Sequence, residues 1–281
     1  MQPSKWSLVL IPDHLGVIHV GGRVGADQGP SAFERVFSRM RGRRDLQSAC
    51  ARRIQVSGLN GVIETHHRQA SDAIAQAHRE TGLSVVVGGG HDHGYSHLRG
   101  LAEAGSSRWG CINIDAHFDL RKPDPVISSG SPFFLAIELG VIEASNLIEF
   151  GIQSHCNSKA LWDYAESKKI RTVLWSELRS PGSAVQRFKK ELEALSLRVD
   201  AIALSLDLDA LSQAYCPGVS APQAEGFSPQ EVIEIIEVAA KNPKVKSLGI
   251  FELNPIHDIE DQTARVAATA AYHFVDAALS S

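Results

Sequence analysis

The sequence predicts an α/β protein, a single three-layer αβα domain with a doubly wound, mostly parallel eight-stranded sheet. Short apolar runs rich in β-branched residues recur along the chain, and helix-like stretches separate them. Most of the runs are continuously apolar rather than alternating, as expected of strands buried on both faces of a parallel sheet. Repeated alternation of strand and helix is typical of one doubly wound domain.

Eight apolar runs are the predicted strands. In chain order they are SLVLI (7–11), RIQVSG (53–58), SVVVGGG (84–90), CINID (111–115), LIEFGI (147–152), RTVLW (171–175), AIALSLDLD (201–209) and SLGIFEL (247–253). We find no linker, internal repeat or low-complexity segment, so residues 1–281 are expected to form one domain.

Three of the intervening stretches carry helix signals. GPSAFERVFSRMRG (29–42) has a Pro where a helix can begin and a Gly where it can stop. THHRQASDAIAQAHRETG (65–82) also ends on a Gly. The third stretch opens with Ser228 as an N-cap, Pro229 at the first helical position and Glu231 three residues after the cap.

Composition restricts the classes of partner. Of the 281 residues, 43% are hydrophobic and 21% are charged, which is ordinary for a soluble globular protein. A formal charge of −4 and a pI near 6.3 provide no basic field for nucleic acid or anionic lipid. The four cysteines form no C-x-x-C pair, and the N-terminal apolar run is too short for a signal peptide. We therefore expect a cytoplasmic protein with reduced thiols.

Four of the predicted strands end in polar side chains that can bind metal or transfer protons. They are His91 after VVVGGG, Asp115, His117 and Asp119 in INIDAHFD, Asp207 and Asp209 in SLDLD, and Glu252 in GIFEL. Two-residue spacing would place Asp115, His117 and Asp119 on one face of a continuing strand. Because ligands of doubly wound folds bind beyond the carboxyl ends of the strands, these residues are the candidate site.

Taken singly, these residues also have simpler interpretations. A lone His91 is more often a hydrogen-bonded or solvated residue, and the glycines before it would suit a phosphate cradle, although no P-loop lysine follows. The spaced carboxylates would suit a solvated strand edge. Together, however, five carboxylates and two histidines at apolar strand ends would repel one another and lose hydration. A pair of borderline-hard cations such as Mn²⁺ is the natural compensation.

At these motifs the sequence resembles the ureohydrolase superfamily of arginases, agmatinases and formimidoylglutamases. The matching segments are RVGADQGP (23–30), GGGHD (88–92), DAHFD (115–119), SLDLDALSQAYCPGVSAP (205–222) and ELNP (252–255). They extend over nearly the whole chain. The resemblance implies a parallel eight-stranded sheet flanked by helices, and a homo-oligomer that in this family is often a trimer or hexamer.

The resemblance also implies how the metal ions are held. One Mn²⁺ would bind His91, Asp115, Asp119 and Asp207, and the other would bind His117 and Asp209, with Asp115 and Asp207 bridging. Such ligands would also accept Co²⁺ or Zn²⁺. Two cations lower the pKa of a shared water, which then attacks the planar carbon of a C=N bond. In this interpretation Asp119 passes a proton to the departing nitrogen, and Glu252 pairs with the charged amidine.

Two departures favour one branch of the family. Arginases and agmatinases generally carry a histidine in a Ser-Gly-x-x-His setting, whereas residues 129–133 read SGSPF. The Asp-Pro that commonly follows their D-x-D-x-x motif is Ser212-Gln213 here. DAHFDLR, SSGSPF and PGVSAP look most like formimidoylglutamases, which release glutamate and formamide from N-formimino-glutamate in histidine degradation.

A substrate with two carboxylates requires a cation in its pocket. Arg121, two residues beyond Asp119, is the first candidate, and its simpler interpretation is an exposed arginine at a strand end. Arg23, in the glycine-rich segment, is the second candidate. Two other functions remain open at this point. A guanidino-hydrolase (agmatinase, guanidinobutyrase or arginase) would release urea from the same site, and a non-catalytic relative would only bind metal.

The remaining histidines are expected to lie at the surface or in loops. They are His66, His67, His93 and His97. Of these, His93 is close enough in sequence to His91 to contact the metal ligands without being a ligand itself.

Overall fold

The computed structural model describes residues 4–58, 61–105 and 107–280, and within these ranges it contains eight strands and ten α-helices. The strands are β1 (Trp6–Leu10), β2 (Cys50–Gln55), β3 (Ser84–Val87), β4 (Trp109–Ile114), β5 (Leu147–Ile152), β6 (Arg171–Leu174), β7 (Ala201–Asp207) and β8 (Val245–Phe251). The helices are α1 (Leu15–Val20), α2 (Gly29–Phe37), α3 (Leu46–Ala49), α4 (Ile63–Thr81), α5 (His93–Ala104), α6 (Pro132–Glu138), α7 (Lys159–Ser167), α8 (Ser183–Ser196), α9 (Pro229–Ala240) and α10 (Gln262–Ser280).

All eight strands lie in one sheet, in the order β2-β1-β3-β8-β7-β4-β5-β6. Every pair of neighbouring strands is parallel. The predicted fold class and all eight predicted strands are therefore confirmed.

Each face of the sheet packs against its own layer of helices. In β1, Trp6, Leu8 and Leu10 point into one hydrophobic core, and Val9 points into the other. The first core is closed by α2, α8, α9 and α10, and the second by α4, α5, α6 and α7. Burial on both faces is the physical reason for the continuously apolar strands.

The helix signals in the sequence are confirmed in part. Ser228 caps α9 in a capping box, because its hydroxyl accepts the Glu231 N–H at 3.3 Å and its own N–H donates to the Glu231 carboxylate at 2.9 Å. Helix α2, in contrast, ends at Phe37, before the glycine expected to stop it. Gly42 instead makes room for Tyr272, since a Cβ there would lie 1.6 Å from the tyrosine hydroxyl oxygen.

The order of the strands determines where the functional site lies. The four strands with polar side chains at their ends, β3, β8, β7 and β4, are adjacent in the middle of the sheet. Their carboxyl ends open at the same edge, so residues from 91, 115, 207 and 252 onward meet there. Across the described part of the chain, no helix combines the length and apolarity needed to cross a membrane.

Candidate metal centre

His91 is surrounded by three carboxylates at the centre of the site. Its Nδ1 lies 3.1 Å from Asp115 Oδ2, 3.0 Å from Asp119 Oδ2 and 3.0 Å from Asp207 Oδ2. The donor atoms of these four buried residues all lie within 4.8 Å of one another. A single proton on the His91 ring could satisfy only one of the three oxygens.

A second group of ligands adjoins the first and shares Asp115 with it. His117 Nδ1 lies 3.1 Å from Asp209 Oδ2 and 3.5 Å from Asp115 Oδ1. The His117 side chain is 24% exposed, whereas those of Asp115 and Asp209 are buried, so this group is nearer to solvent. The two oxygens of Asp115 thus face different histidines, which suits a carboxylate that bridges two cations.

The chemistry of these donors fits a pair of divalent cations. His91 Nδ1 and Asp209 Oδ1 are buried and have no hydrogen-bond partner among the described residues. His91 Nε2 lies 2.8 Å from Ser205 Oγ, and a bond from the Nε2 proton to that hydroxyl leaves Nδ1 free as a metal ligand. Two imidazoles and four carboxylates, without thiolates, match the preferences of Mn²⁺ and similar ions.

Burial and crowding perturb the pKa values of these groups. Burial, followed by the charge of Asp115, raises the pKa of Asp119 to about 6. Burial, followed by the charge of Asp207, raises the pKa of Glu252 to about 8. Burial alone would lower the pKa of His91, but its contacts with the surrounding carboxylates raise it well above the usual value. Cations bound here would replace the protons that otherwise compensate the carboxylates.

Glu252 is held at the edge of the metal-ligand cluster by two hydrogen bonds. Its Oε1 accepts the backbone N–H of His91 at 2.8 Å, and its Oε2 accepts the Ser220 hydroxyl. The backbones of Glu252 and Asp119 have positive φ angles of 66° and 49°, which residues other than Gly rarely adopt. Such strain persists only where surrounding structure imposes it, and it is often found at functional sites.

The glycines before His91 allow a close approach of two backbones. Gly90 N–H donates to the Asp13 carbonyl at 3.0 Å, and a Cβ on Gly89 would lie 1.5 Å from that same oxygen. The loop therefore has room only for glycine at this point. It positions His91, and the glycines have a packing role rather than forming a phosphate cradle.

A cavity of about 380 Å³ opens onto the ligands. Among the residues that line it are His117, Asp119, Asp207, Asp209 and Glu252, together with Cys156 and Ser220. Arg121 is exposed and lines the same cavity. Its backbone N–H donates to the Gly130 carbonyl at 2.8 Å, which anchors its main chain next to the opening.

The Arg23 guanidinium is hydrogen-bonded to a neighbouring loop. Its Nη2 donates to the Pro217 carbonyl at 3.0 Å, and its Nε donates to the Val219 carbonyl at 3.1 Å. It does not line the cavity that holds Asp119 and Glu252. These contacts place Arg23 behind the segment that carries Ser220, where it stabilises the loop.

The expectation that three of the ligands share one face of a strand is wrong. Strand β4 ends at Ile114, so Asp115, His117 and Asp119 lie in the loop beyond it, where Asp119 takes a positive φ. Asp207 is the last residue of β7, and Asp209 lies in a 3-10 turn, Leu208–Ala210. The side chains converge because these loops bend, and strand alternation is not the cause.

The expectation that the other histidines lie at the surface or in loops is also wrong. His66 and His67 are buried in α4, and His93 and His97 are buried in α5. Each has a polar partner that offsets its burial: His66 Nδ1 and His93 Nε2 both contact Asp13 Oδ2, at 2.8 Å and 2.9 Å. His93 thereby supports the Asp13 loop that holds the glycines before His91.

Several supporting residues were not identified from the sequence. Ser205 orients His91, Ser220 orients Glu252, and Asn113 donates to Asp115 Oδ2 at 3.2 Å. The only sequence signal for Asn113 and Ser205 is a polar residue two positions before a ligand, within an otherwise apolar strand. Ser220 lies in PGVSAP, a segment whose only signal is its resemblance to the family.

Comparisons with known proteins agree on one group of enzymes. The sequence model of the arginase family matches residues 8–276 of this chain. A formimidoylglutamase from Staphylococcus carnosus (strain TM300) is 32% identical over 267 residues, covering 92% of this chain and 82% of that protein. One from Rhodococcus opacus (strain B4) is 35% identical over 288 residues, covering 98% and 86%. The crystal structure of Trypanosoma cruzi formiminoglutamase with Mn2+2 has a TM-score of 0.86 and 27% identity, covering 97% and 92%.

Proposed function

The chain belongs to the arginase family, and on that basis we propose that it hydrolyses N-formimino-L-glutamate to L-glutamate and formamide. This reaction breaks the carbon–nitrogen bond of a linear amidine. The observation that carries the proposal is that both ligand groups, the Glu252 carboxylate and the exposed cation of Arg121 meet at one cavity. Relatives named formimidoylglutamase, at 32% and 35% identity, support the choice of substrate.

The proposed cofactor is a pair of Mn²⁺ ions. The first would be held by the group around His91 and the second by the group around His117, and the two groups share Asp115. His91 Nδ1 and Asp209 Oδ1 support this assignment, because they accept no hydrogen bond from any described residue, as does the related Trypanosoma cruzi enzyme, whose crystal structure contains Mn2+2. When bound, two such ions lower the pKa of water and polarise a carbon–nitrogen double bond.

The residues of this chain would orient the substrate and move its protons. Glu252, fixed by the His91 N–H and the Ser220 hydroxyl, would bind the N–H groups of the amidinium. When the bond to the glutamate nitrogen breaks, that nitrogen takes up a proton and leaves as an amine. We assign this proton transfer to Asp119, whose carboxylate lines the cavity beside the other ligands.

Recognition of the glutamate portion of the substrate is assigned to Arg121. A guanidinium can bind a carboxylate through two parallel hydrogen bonds, and Arg121 lines the cavity that also contains Glu252. An anionic group at Arg121 and a cationic group at Glu252 would place the amidine carbon next to the ligand cluster. Homo-oligomerisation and a cytoplasmic location stay predictions.

A product assay tests the proposed function. Metal-stripped protein is reconstituted with Mn²⁺ and incubated with N-formimino-L-glutamate, and in parallel with agmatine, 4-guanidinobutyrate and arginine. We expect glutamate and formamide in equal amounts from the first substrate, and little urea from the guanidines. Predominant urea release would identify a guanidino-hydrolase. No turnover of any substrate by protein that has bound two metal ions would identify a non-catalytic relative.

A further inference from the structure

A row of polar side chains crosses the buried sheet directly beneath the metal ligands. Glu149 on β5 pairs in register with Asn113 on β4, and Asn113 pairs on its other side with Ser205 on β7. Their relative exposures are 0%, 0% and 1%, in strands that are otherwise almost wholly apolar. Burying polar groups is costly unless each one is used in a hydrogen bond.

The row is connected to the ligands of the proposed first ion. Ser205 Oγ lies 2.8 Å from His91 Nε2. The amide nitrogen of Asn113 donates to Asp115 Oδ2 at 3.2 Å and to Glu149 Oε2 at 3.0 Å. Asp115 Oδ2 is also the oxygen that faces His91 Nδ1 at 3.1 Å. Asn113 therefore holds the ligand oxygen itself, and Glu149 holds Asn113.

The direction of the Asn113 amide matters for the charge at Asp115. A side-chain amide presents two N–H donors at one end and an acceptor oxygen at the other. The observed orientation points the donors at Asp115 Oδ2 and Glu149 Oε2 and leaves Asn113 Oδ1 without a partner among the described residues. The reverse orientation would set that oxygen against Asp115 Oδ2, which is repulsive. An acceptor at position 149 is what favours the observed orientation.

We propose that Glu149 is a positioning residue for the metal centre, which orients Asp115 through the amide of Asn113. This inference rests on the metal centre of the proposed function. Glu149 reaches no ligand of either ion by a hydrogen bond of its own. By fixing the amide, it keeps Asp115 Oδ2 directed at the site of the first ion. The backbone N–H of His117 donates to the other oxygen, Asp115 Oδ1, at 2.7 Å.

Mn²⁺ titration calorimetry on the metal-stripped full-length protein tests this proposal. The variants are Glu149→Leu, Asn113→Leu, the double variant and Glu149→Gln. Loss of a residue that orients a metal ligand typically costs about 10–100-fold in metal affinity, and we expect this range for each Leu variant. The Gln variant keeps an acceptor oxygen in the same shape, so its affinity should stay close to that of the wild type.

The double variant separates positioning from stability. Replacing both hydrogen-bonding partners by apolar groups of similar shape can be nearly neutral for folding. We therefore expect the metal-free double variant to be at least as stable to heat as either single variant. Its Mn²⁺ affinity should nevertheless match that of Asn113→Leu, because without the amide no hydrogen bond links Glu149 to Asp115. The control is Cys111→Ala, which alters the same strand and face without touching a hydrogen bond to a ligand.

Three results with the Glu149 and Asn113 variants would overturn the proposal. The first is a wild-type Mn²⁺ affinity in folded Glu149→Leu. The second is a loss of Mn²⁺ affinity in the double variant equal to the sum of the two single losses. The third is a Glu149→Gln variant that binds Mn²⁺ as weakly as Glu149→Leu. Equal losses in Cys111→Ala would show a general packing effect and would also overturn it. Wild-type protein that binds no metal would contradict the metal centre itself, and is therefore distinguishable from a failure of this inference.

Discussion

Replacement of Arg121 by Ala tests how the substrate is recognised. The side chain is exposed at the cavity that contains Asp119 and Glu252, and no carboxylate pairs with its guanidinium in the part of the chain that the structure describes. Its backbone is anchored by the Gly130 carbonyl, so truncation of the side chain should leave the Asp119 loop in place. The variant should therefore lose a contact with substrate and keep its metal ligands.

The size of the effect follows from the kind of contact that is lost. A hydrogen bond to a charged group contributes about 1.5–3 kcal/mol, and exposure of Arg121 to solvent places the contact toward the lower end. Since about 1.4 kcal/mol corresponds to one decade, KM for N-formimino-L-glutamate should rise roughly 10-fold and at most about 100-fold. The value of kcat should change little, because the contact is present in both ground state and transition state. Arg121→Lys should also be impaired, since it keeps the charge but loses the planar pair of donors.

Steady-state formamide release measures this effect, with two controls. Lys122→Ala removes the neighbouring exposed cation, which borders an adjacent cavity, and should behave like the wild type. Formamidine, an amidine without carboxylates, should be hydrolysed equally by wild type and Arg121→Ala. An unchanged KM in Arg121→Ala would refute the reasoning. Equal slowing of both substrates would instead indicate damage to the metal centre.

Three further predictions concern the acidic groups of the site. Asp119→Asn should lower turnover by about 10²–10⁴-fold, more than it lowers bound metal; near-normal turnover with full metal content would remove Asp119 from the mechanism. Glu252→Gln should lower kcat/KM by roughly 10- to 100-fold at unchanged metal content, because it loses a charge-assisted contact of about 1.5–3 kcal/mol; unchanged kcat/KM would exclude the amidinium contact. In the metal-free protein the Glu252 pKa is raised from 4.5 to about 8, so the folded state binds more protons than the unfolded state between these values. Its Tm, measured by calorimetry in EDTA, should therefore fall from pH 6 to pH 8, and the fall should be smaller in Glu252→Gln; equal falls in both proteins would assign the effect to other groups.

The fold and the positions of the ligands could be predicted because their signals are local. A parallel strand that is buried on both faces is almost continuously apolar, as β1, β3, β5 and β7 show, and all eight predicted runs are strands in the structure. The ligand-type residues follow these runs directly, and the strand ends that carry them are neighbours in the sheet. The general rule that ligands of doubly wound folds bind beyond the carboxyl ends of the strands then predicts that these residues share one edge of the sheet.

The geometry of the loops and the supporting contacts could not be predicted in the same way. Two-residue spacing suggested a continuing strand at Asp115, but the chain turns there and gives Asp119 a φ angle of 49°. Most of the supporting contacts join residues that are distant in sequence: 114 positions separate His91 from Ser205, and 36 separate Asn113 from Glu149. The buried histidines of α4 were missed for the same reason, since Asp13, the partner of His66, lies 53 residues away, and Asp92, the partner of His67, lies 25 residues away.

Crystals soaked in Mn²⁺ provide the most direct test of the metal centre, which is the central claim. An anomalous difference map at a wavelength near the manganese absorption edge locates the ions independently of activity. We expect two peaks roughly 3.5–4 Å apart, one beside His91 Nδ1 and the other beside His117 Nδ1, with Asp115 in contact with both. A single peak, or peaks away from these histidines, would contradict the account.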